Sequence, residues 1–333
     1  MPELVGKKIG ATGFGLMGLP ARTPPLPESQ IFETLRATLE TGCNFWNAGE
    51  FYGTPERNTQ TMMASYFRKY PEDAAKVVLS VKGAFVWGAM VGDGRPEAIK
   101  ASVDKILHDL AGTKSIDIFE MARVDPTTPL EVSLEYLEEE YVKKGVIRGI
   151  ALSEVSAATI RRAASITTVV AVEVELSLWS THVLHNGVAA ACADLNIPLV
   201  AYSPLGQGTL TGRIKSVDDD LGPDDPRRTL YPRFQPETWQ VNLRLVNQVE
   251  ALAERKGCTP AQLALAWVRG LAGKPGMPDV VVPIPGSTTA GRVRENAVDE
   301  IVLTPDEMAA IDDILANFTV VGRRYPDNIP IDG

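Results

Sequence analysis

Two residues that could carry chemistry lie at or just beyond the end of an apolar run. Lys82 ends the run "VVLSVK", and Tyr52 lies just beyond Asn47, which ends "NFWN". An ammonium group beside a phenol stabilises the phenolate and lowers the pKa of the phenol. Such a pair could donate a proton to a developing alkoxide and stabilise its charge. Taken singly, the lysine could instead extend its amine to solvent, and the tyrosine could simply pack.

The elements that must position this pair alternate along the chain. Short apolar runs are followed by longer amphipathic stretches, which predicts a parallel sheet covered by helices. The predicted strands cover 8–15, 43–47, 77–82, 115–121, 146–152, 169–176, 197–203 and 279–286. The predicted helices cover 29–41, 56–69, 96–110, 129–143, 156–165, 184–194, 242–256 and 289–298. Eight such units in 333 residues predict an α/β fold, a (β/α)8 TIM barrel.

The whole chain, residues 1–333, is predicted to form a single barrel domain. The one long stretch without a clear period, 204–241, follows the seventh predicted strand and resembles the long loops that often act as lids. Helix starts are predicted at "TPLE" (128–131), "TPAQ" (259–262) and "TPDE" (304–307), where threonine caps the helix and proline takes its first position. The last of these predicts an extra C-terminal helix, followed by a tail.

Composition argues against several classes of function. The net charge is -9 and no run of Lys or Arg occurs, so no nucleic-acid partner is expected. The sequence contains no long apolar run and no signal-peptide pattern, which predicts no membrane association and a cytoplasmic location. Cys43, Cys192 and Cys258 are far apart, as is typical of a reducing compartment. They form no metal-ligand spacing with the histidines, so no metal is expected.

One glycine motif is misleading. "GFGLMG" (13–18) has the G-x-G-x-x-G spacing of open dinucleotide-binding sheets. The prolines that follow prevent the helix which that motif requires; they are Pro20, Pro24, Pro25 and Pro27. We therefore favour a first barrel strand that ends in a turn over a doubly wound sheet.

Two further glycine-rich segments follow the seventh and eighth predicted strands, where barrels tend to bind phosphate. They are "SPLGQGTLTG" (203–212) and "PIPGSTTAGRVREN" (283–296). Ser287, Thr288 and Arg292 could offer hydroxyls and a cation to an anion at the start of the next helix. The alternative is a capped helix with exposed arginines.

Five segments, in order along nearly the whole chain, resemble motifs of the aldo-keto reductase family. They are "NFWNAGEFYG" (44–53), "LSVKG" (79–83), "GIALSE" (149–154), "AYSPLGQGTLTG" (201–212) and "PIPGSTTAGRVREN" (283–296). The resemblance implies a small-molecule aldehyde substrate, which NADPH reduces to an alcohol while a tyrosine supplies the proton. The oligomeric state is left open.

The resemblance also implies a catalytic tetrad of Asp, Tyr, Lys and His, of which this chain keeps half. Tyr52 and Lys82 match, whereas Asn47 stands in place of the aspartate and Ala122 in place of the histidine. Asn47 could still accept a hydrogen bond from Lys82. A lysine without a charge partner would act more strongly on the phenol and favour its phenolate. Glu50 is the candidate for supplying the missing negative charge.

Two more departures concern the nicotinamide carboxamide. Glu154 and Glu173 stand where the family would have an Asn and a Gln with that role. As a set, the departures resemble the pyridoxal reductase branch, so pyridoxal is the expected substrate. Pyridoxal carries a phenol beside its aldehyde, which could offset the lost histidine, and the small Ala122 leaves room for a ring.

The resemblance assigns NADP(H) binding to residues at the strand ends and in the two glycine-rich segments. They are Gly15, Met17, Ser153, Glu173, Tyr202, Ser203, Pro204, Leu205, Gly206, Gly208, Ile284, Gly286, Ser287, Thr288, Arg292, Glu295 and Asn296. Residues 203–212 are expected over the pyrophosphate, and Ser287, Thr288 and Arg292 at the 2′-phosphate. Substrate contacts are assigned to Trp46, Glu50 and Arg123, and catalysis to Tyr52, Lys82 and Asn47.

Three other functions remain open. The chain could be a cofactor-binding, redox-sensing accessory subunit with little turnover, or a general aryl-aldehyde reductase. It could also be a phosphate-binding barrel isomerase or aldolase that uses Lys82 as a Schiff-base nucleophile.

Overall fold

A parallel sheet forms the centre of the computed structural model, which describes residues 1–22 and 24–326. Its eight strands lie side by side in the order of the chain. They are Phe14–Gly15, Phe45–Gly49, Val78–Gly83, Ile118–Met121, Gly149–Ser153, Val169–Glu175, Leu199–Tyr202 and Val281–Pro283. A parallel bridge between Gly15 and Gly286 joins the first strand to the segment after the eighth. The sheet thus nearly closes into a barrel, which confirms the predicted (β/α)8 fold.

Helices connect the strands and cover the outside of the sheet. The longer ones are Glu28–Glu40, Thr59–Lys69, Pro96–Leu110, Leu130–Leu137, Ala157–Ala164, Val188–Asp194, Pro236–Lys256, Pro260–Arg269, Ala290–Asn296 and Pro305–Ala316. Each buries an apolar face, as the first does with Ile31, Phe32 and Leu35. Among the residues described, no helix has the length and apolar character needed to cross a membrane.

The start of the chain differs from the prediction of one strand over 8–15. Lys7–Lys8 instead pairs antiparallel with Glu3–Leu4 in a small hairpin, and the barrel strand is limited to Phe14–Gly15. Leu4 and the nearby Ile9 belong to a buried cluster with the starts of several barrel strands, namely Phe45, Val78 and Ile118. The hairpin therefore covers the N-terminal end of the barrel, and the C-terminal strand ends form the mouth.

Two of the three predicted helix caps form. Thr259 and Thr304 each accept a hydrogen bond from the backbone three residues on, and the side chain there returns one. The prediction at "TPLE" is wrong, because that helix begins at Leu130 without a side-chain cap. Pro129 has an extended backbone conformation, with ψ of 134°, and so precedes the helix instead of taking its first position.

The segment 204–241 is less irregular than expected. It contains 3₁₀ turns within Gly206–Thr211 that are interrupted by a kink at Gln207 and Gly208. Short helical turns follow at Val217–Asp220, Pro226–Thr229 and Pro232–Phe234. The long helix predicted to start at 242 begins at Pro236. Proline is well suited to the first helical position, since its missing N–H has no partner there.

Candidate active site

Lys82 lies at the mouth of the barrel, at the end of the third strand, and is surrounded by polar side chains. Its Nζ donates to Oδ1 of Asn47 at 2.8 Å and to Oε1 of Glu173 at 2.6 Å. It also forms an ion pair with Oε1 of Glu120 at 3.4 Å. All four residues are at most 5 % exposed. Side chains from the second, third, fourth and sixth strands therefore meet at one buried ammonium group.

Asn47 links the members of this network. Its Oδ1 accepts from Lys82, while its Nδ2 donates to Oε2 of Glu173 at 2.6 Å and to Oε2 of Glu120 at 3.2 Å. An amide can do both, since it carries an acceptor and a donor. An aspartate at this position would place a third carboxylate beside two others. The asparagine is thus consistent with the charges around it.

The expectation that Lys82 lacks a charge partner is wrong. Burial acts to lower the pKa of Lys82, but Glu120 and Glu173 outweigh it and raise that pKa. Burial and Glu120 raise the pKa of Glu173 above the usual range of a glutamate. Lys82 is therefore held as an ammonium ion, and a nucleophilic Schiff-base role, which needs the neutral amine, is disfavoured.

Tyr52 lies against the second strand, beside Lys82. A Cβ atom on Gly49 would lie 3.0 Å from the ring of Tyr52, and Gly49 is paired in register with Lys82. Burial raises the pKa of Tyr52; the charge and a hydrogen bond of Lys82 lower it, and the two glutamates raise it further. The net shift is upward, so the expected phenolate is replaced by a neutral phenol that retains its proton.

Trp46, predicted to contact substrate, faces away from the mouth. Neighbouring side chains on a strand point to opposite sides, and Asn47 points inward. Trp46 is fully buried, stacks on Phe67 and donates to Oγ1 of Thr38 at 2.9 Å. The assignment is wrong for this residue, which belongs to the core between the strand and its helices.

The other two predicted substrate residues have different neighbours. Glu50 accepts a hydrogen bond from Oγ of Ser102 at 2.6 Å, and burial raises its pKa. Its carboxylate therefore does not supply the charge partner of Lys82. Arg123 follows the fourth strand, donates to the carbonyl of Ala122 at 2.6 Å, and acts electrostatically on Glu154.

The predicted cofactor residues fall into segments that the structure brings together. Gly15 meets Gly286 in the bridge that closes the barrel. Asn296 donates to Oγ of Ser287 at 3.1 Å. The kinked 3₁₀ segment after the seventh strand contains Gly206 and Gly208, and Tyr202, Ser203, Pro204 and Leu205 lead into it. Ile284 is buried, whereas Met17 is exposed.

Three arginines gather beside the segment after the eighth strand. Partial burial lowers the pKa of Arg292, and the charges of Arg213 and Arg22 lower it further. Glu295 offsets part of this repulsion and pairs with Arg213 at 3.2 Å. An excess of positive charge of this kind favours the binding of an anion such as a phosphate. The site therefore suits a phosphorylated cofactor.

At the other end of the mouth, one buried hydroxyl has no hydrogen-bond partner. Oγ of Ser153 is enclosed and makes no hydrogen bond to any described residue. Unsatisfied buried polar atoms are rare in folded proteins and often face a ligand. Ser153 is therefore suited to a polar group of a bound molecule, as the prediction of cofactor binding requires.

Glu154, next to Ser153, forms a buried ion cluster that the sequence did not suggest. Arg324 donates to Oε2 of Glu154 at 2.8 Å and pairs with Oε2 of Glu175 at 3.1 Å. Although burial opposes it, Arg324 lowers the pKa of Glu154, whereas burial raises that of Glu175. Two acids at the ends of neighbouring strands thus share one guanidinium group.

The segment that carries Arg324 is fixed over the mouth. Asn242 makes two hydrogen bonds, each of 2.8 Å, to the backbone of Val321, and Arg233 donates to the carbonyl of Gly322 at 3.1 Å. The hydroxyls of Tyr325 and Tyr202 lie 2.9 Å apart. The tail after the extra helix therefore contributes to the site up to residue 326, and the remainder of the predicted tail, 327–333, lies outside the described residues.

An aromatic cluster beside Tyr52 was also missed. The ring of Phe51 lies 5.0 Å from Tyr52, 4.6 Å from Phe85 and 5.6 Å from Trp87, measured between centroids. Trp87 is 60 % exposed. The small antiparallel pair Phe85–Val86 and Val91–Gly92 carries part of this cluster. It forms an apolar wall next to the phenol.

Comparison with known proteins supports the resemblance seen in the sequence. The family model for the aldo/keto reductase family matches residues 11–316. A probable pyridoxal reductase 2 of Schizosaccharomyces pombe is 38% identical over 329 residues, covering 98% of this chain and 97% of that protein. A putative pyridoxal reductase of Saccharomyces cerevisiae is 38% identical over 334 residues, covering 94% of this chain and 95% of that protein.

Solved structures agree on the fold. A glycerol dehydrogenase from Gluconobacter oxydans superposes with a TM-score of 0.80 at 23% identity, covering 97% of this chain and 94% of that one. A thermostable aldo-keto reductase gives a TM-score of 0.68 at 23% identity, covering 94% of this chain and 98% of that one. At this identity the likeness concerns architecture alone. Taken with the family model, the comparisons establish that the chain belongs to the aldo/keto reductase family.

Proposed function

We propose that this oxidoreductase reduces an aldehyde to an alcohol with NADPH, and that pyridoxal is its substrate. The observation that carries the proposal is the buried ammonium group of Lys82 beside the phenol of Tyr52, at the mouth of the barrel. A phenol and an ammonium ion in this arrangement can protonate a carbonyl oxygen as it gains negative charge.

Each residue of the network has a proposed role in that proton transfer. Tyr52 retains its proton at neutral pH, since its pKa is raised, and donates it to the substrate oxygen. Lys82 stabilises the phenolate that results, because its positive charge lies beside it. Asn47 fixes the amine through the 2.8 Å hydrogen bond to Oδ1. Ala122 leaves space where a larger side chain would stand.

When bound, NADPH supplies the hydride that reduces the carbonyl carbon. We propose that Oγ of Ser153 donates to the carboxamide oxygen, and that Glu173 accepts from its amino group. The segment 203–212 would cover the pyrophosphate. Ser287, Thr288 and Arg292 would hold the 2′-phosphate, assisted by the nearby arginines. The remaining assigned residues, Gly15, Met17, Ile284, Gly286, Glu295 and Asn296, would line the same groove.

Pyridoxal is proposed because of two independent points. The two yeast relatives are named as pyridoxal reductases. In addition, Phe51, Phe85 and Trp87 form an apolar wall beside Tyr52, and aromatic side chains pack well against a flat ring. We also propose a cytoplasmic location, since Cys43, Cys192 and Cys258 are all free and free thiols are typical of a reducing compartment.

The test is NADPH oxidation measured with pyridoxal and a panel of aromatic aldehydes, with NADH in parallel. Tyr52→Phe removes the hydroxyl alone and should lower kcat by roughly 100-fold or more. Tyr70→Phe, which removes a hydroxyl on the outer helices, is the matched control and should retain wild-type turnover. Retention of most turnover by Tyr52→Phe would refute the role of the phenol.

Other outcomes separate the alternatives. Tight NADPH binding with negligible turnover for every aldehyde would favour the hypothesis of a cofactor-binding accessory subunit. Higher kcat/KM with simple aromatic aldehydes than with pyridoxal would favour a general aryl-aldehyde reductase. Equal kcat/KM with NADH and NADPH would contradict the proposed cofactor preference.

A further inference from the structure

The contacts of Lys82 point to a residue with a role beyond those assigned above. Glu173 makes the shortest of its contacts, at 2.6 Å, and uses Oε1 for it. The other oxygen of Glu173 accepts from Nδ2 of Asn47, also at 2.6 Å. Glu120 is more distant, at 3.4 Å, and does not hydrogen-bond to Lys82. Lys82, Asn47 and Glu173 therefore form a closed triangle in which every side is a hydrogen bond.

The triangle determines where the amine can point. Two of the three N–H groups of an ammonium ion are committed, one to Oδ1 of Asn47 and one to Oε1 of Glu173. The third is then directed by the tetrahedral geometry of the nitrogen. Because Glu173 lies on the sixth strand and Asn47 on the second, the amine is held from two sides of the barrel.

We propose that Glu173 is a positioning residue, which orients the ammonium group of Lys82 toward Tyr52 and, together with Glu120, supplies the negative charge that position 47 lacks. This inference rests on the proposed function, in that the oriented pair serves proton donation. Glu173 acts through Lys82, so it is not itself assigned a chemical step. Within the triangle, the amide of Asn47 donates a hydrogen bond that the acid of Glu173 accepts.

The positioning role can be tested by exchanging the amide at position 47 and the acid at position 173. In Asn47→Asp with Glu173→Gln, each hydrogen bond of the triangle can be remade, because aspartate accepts from Lys82 and the glutamine both accepts and donates. An acid at position 47 would face Oε2 of Glu120, which lies 3.2 Å from Nδ2 of Asn47. The exchange is therefore made in a Glu120→Gln background, which removes that repulsion.

The expected rates follow from the loss of a charge-assisted contact. Glu173→Gln should lower kcat/KM roughly 10- to 100-fold, and Glu120→Gln should lower it less, because its contact is longer. In the Glu120→Gln background, adding Glu173→Gln should again lower kcat/KM roughly 10- to 100-fold. Adding Asn47→Asp to this double variant should raise kcat/KM by at least roughly tenfold. The proposal is overturned if Glu173→Gln stays within about twofold of wild type or if Asn47→Asp gives no recovery.

A second readout does not depend on turnover. Nuclear magnetic resonance of protein labelled with ¹³Cζ-tyrosine, assigned with Tyr52→Phe, reports the pH at which Tyr52 ionises. Glu173 raises the pKa of Tyr52, so Glu173→Gln should lower that pH. In the Glu120→Gln background, adding Asn47→Asp to Glu173→Gln should raise it again. If wild-type protein reduces no aldehyde, the proposed function fails, while this titration still decides whether Glu173 supplies charge beside Lys82 and Tyr52. If turnover is normal and the titration is unmoved by Glu173→Gln, the positioning role alone is refuted.

Discussion

Arg324 provides a measurable test of how the C-terminal segment is held. Its guanidinium donates to Glu154 at 2.8 Å and pairs with Glu175 at 3.1 Å. The side chains of the three residues are 5, 1 and 2 % exposed. Arg324→Met would leave two buried carboxylates without their nearest cation. Removing one partner of a buried ion pair costs about 3–5 kcal/mol, because the remaining charge stays uncompensated.

The assay is thermal unfolding by calorimetry, with urea unfolding in parallel. A loss of this size corresponds to a decrease in Tm of about 4–7 °C for a chain of this length. Arg324→Lys should fall between wild type and Arg324→Met, since an ammonium group cannot contact two carboxylates with the geometry of a guanidinium. Arg161→Met is the control. It breaks an exposed pair with Asp194, and such pairs contribute at most about 1 kcal/mol.

The effect should also depend on pH. Although burial opposes it, Arg324 lowers the pKa of Glu154. The ion pair of Glu154 with Arg324 therefore stabilises the fold at pH values above the usual pKa range of a glutamate. That contribution is lost as the pH falls through the folded-state pKa. Wild type and Arg324→Met should therefore converge in acid. A decrease in Tm of less than about 2 °C at neutral pH would refute the reasoning, since it would mean that water replaces Arg324 at both carboxylates.

Two further predictions concern the cofactor groove and the N-terminal end of the barrel. Arg292→Ala should raise KM for NADPH roughly 10- to 100-fold and leave KM for NADH unchanged, because a charge-assisted contact to phosphate is lost. Steady-state kinetics measures both values, and an equal effect on the two cofactors would contradict this prediction. Lys7, Lys114 and Arg148 surround Asp117, and although burial opposes it, Lys114 and Lys7 lower the pKa of this carboxylate. Asp117→Asn should therefore destabilise the protein by about 3–5 kcal/mol at pH 7. This difference from wild type should shrink as the pH falls below the usual pKa range of an aspartate. A difference in urea unfolding that does not depend on pH would argue against this prediction.

The barrel and the meeting of Tyr52 with Lys82 could be predicted because both depend on the order of elements. Parallel strands place their C-terminal ends at one rim, so the polar residues that end each apolar run must gather there. Side-chain orientation was also accessible at one point. Since Asn47 points inward, strand alternation requires Trp46 to point outward, and this signal was overlooked.

The residues that were missed depend on contacts between distant parts of the chain. Glu120 lies within the apolar run "IDIFEM", and its approach to Lys82 follows from the register that pairs the two residues. Arg324 reaches Glu154 because Asn242 fixes the backbone of Val321, and nothing local to either segment indicates this contact. The helical turns within 204–241 are likewise too short for a hydrophobic periodicity to reveal them in the sequence.

The hairpin near the N-terminus and the segment that carries Arg324 lie at opposite ends of the barrel, with practical consequences for handling the protein. The hairpin Glu3–Leu4 and Lys7–Lys8 covers the face remote from the mouth, so an affinity tag or surface anchor fused before residue 1 would leave substrate access undisturbed. Arg324 and Tyr325, by contrast, contact Glu154 and Tyr202 at the mouth. A fusion partner attached close after Tyr325 would be tethered beside the mouth of the barrel, so immobilised or tagged preparations should carry their attachment before residue 1.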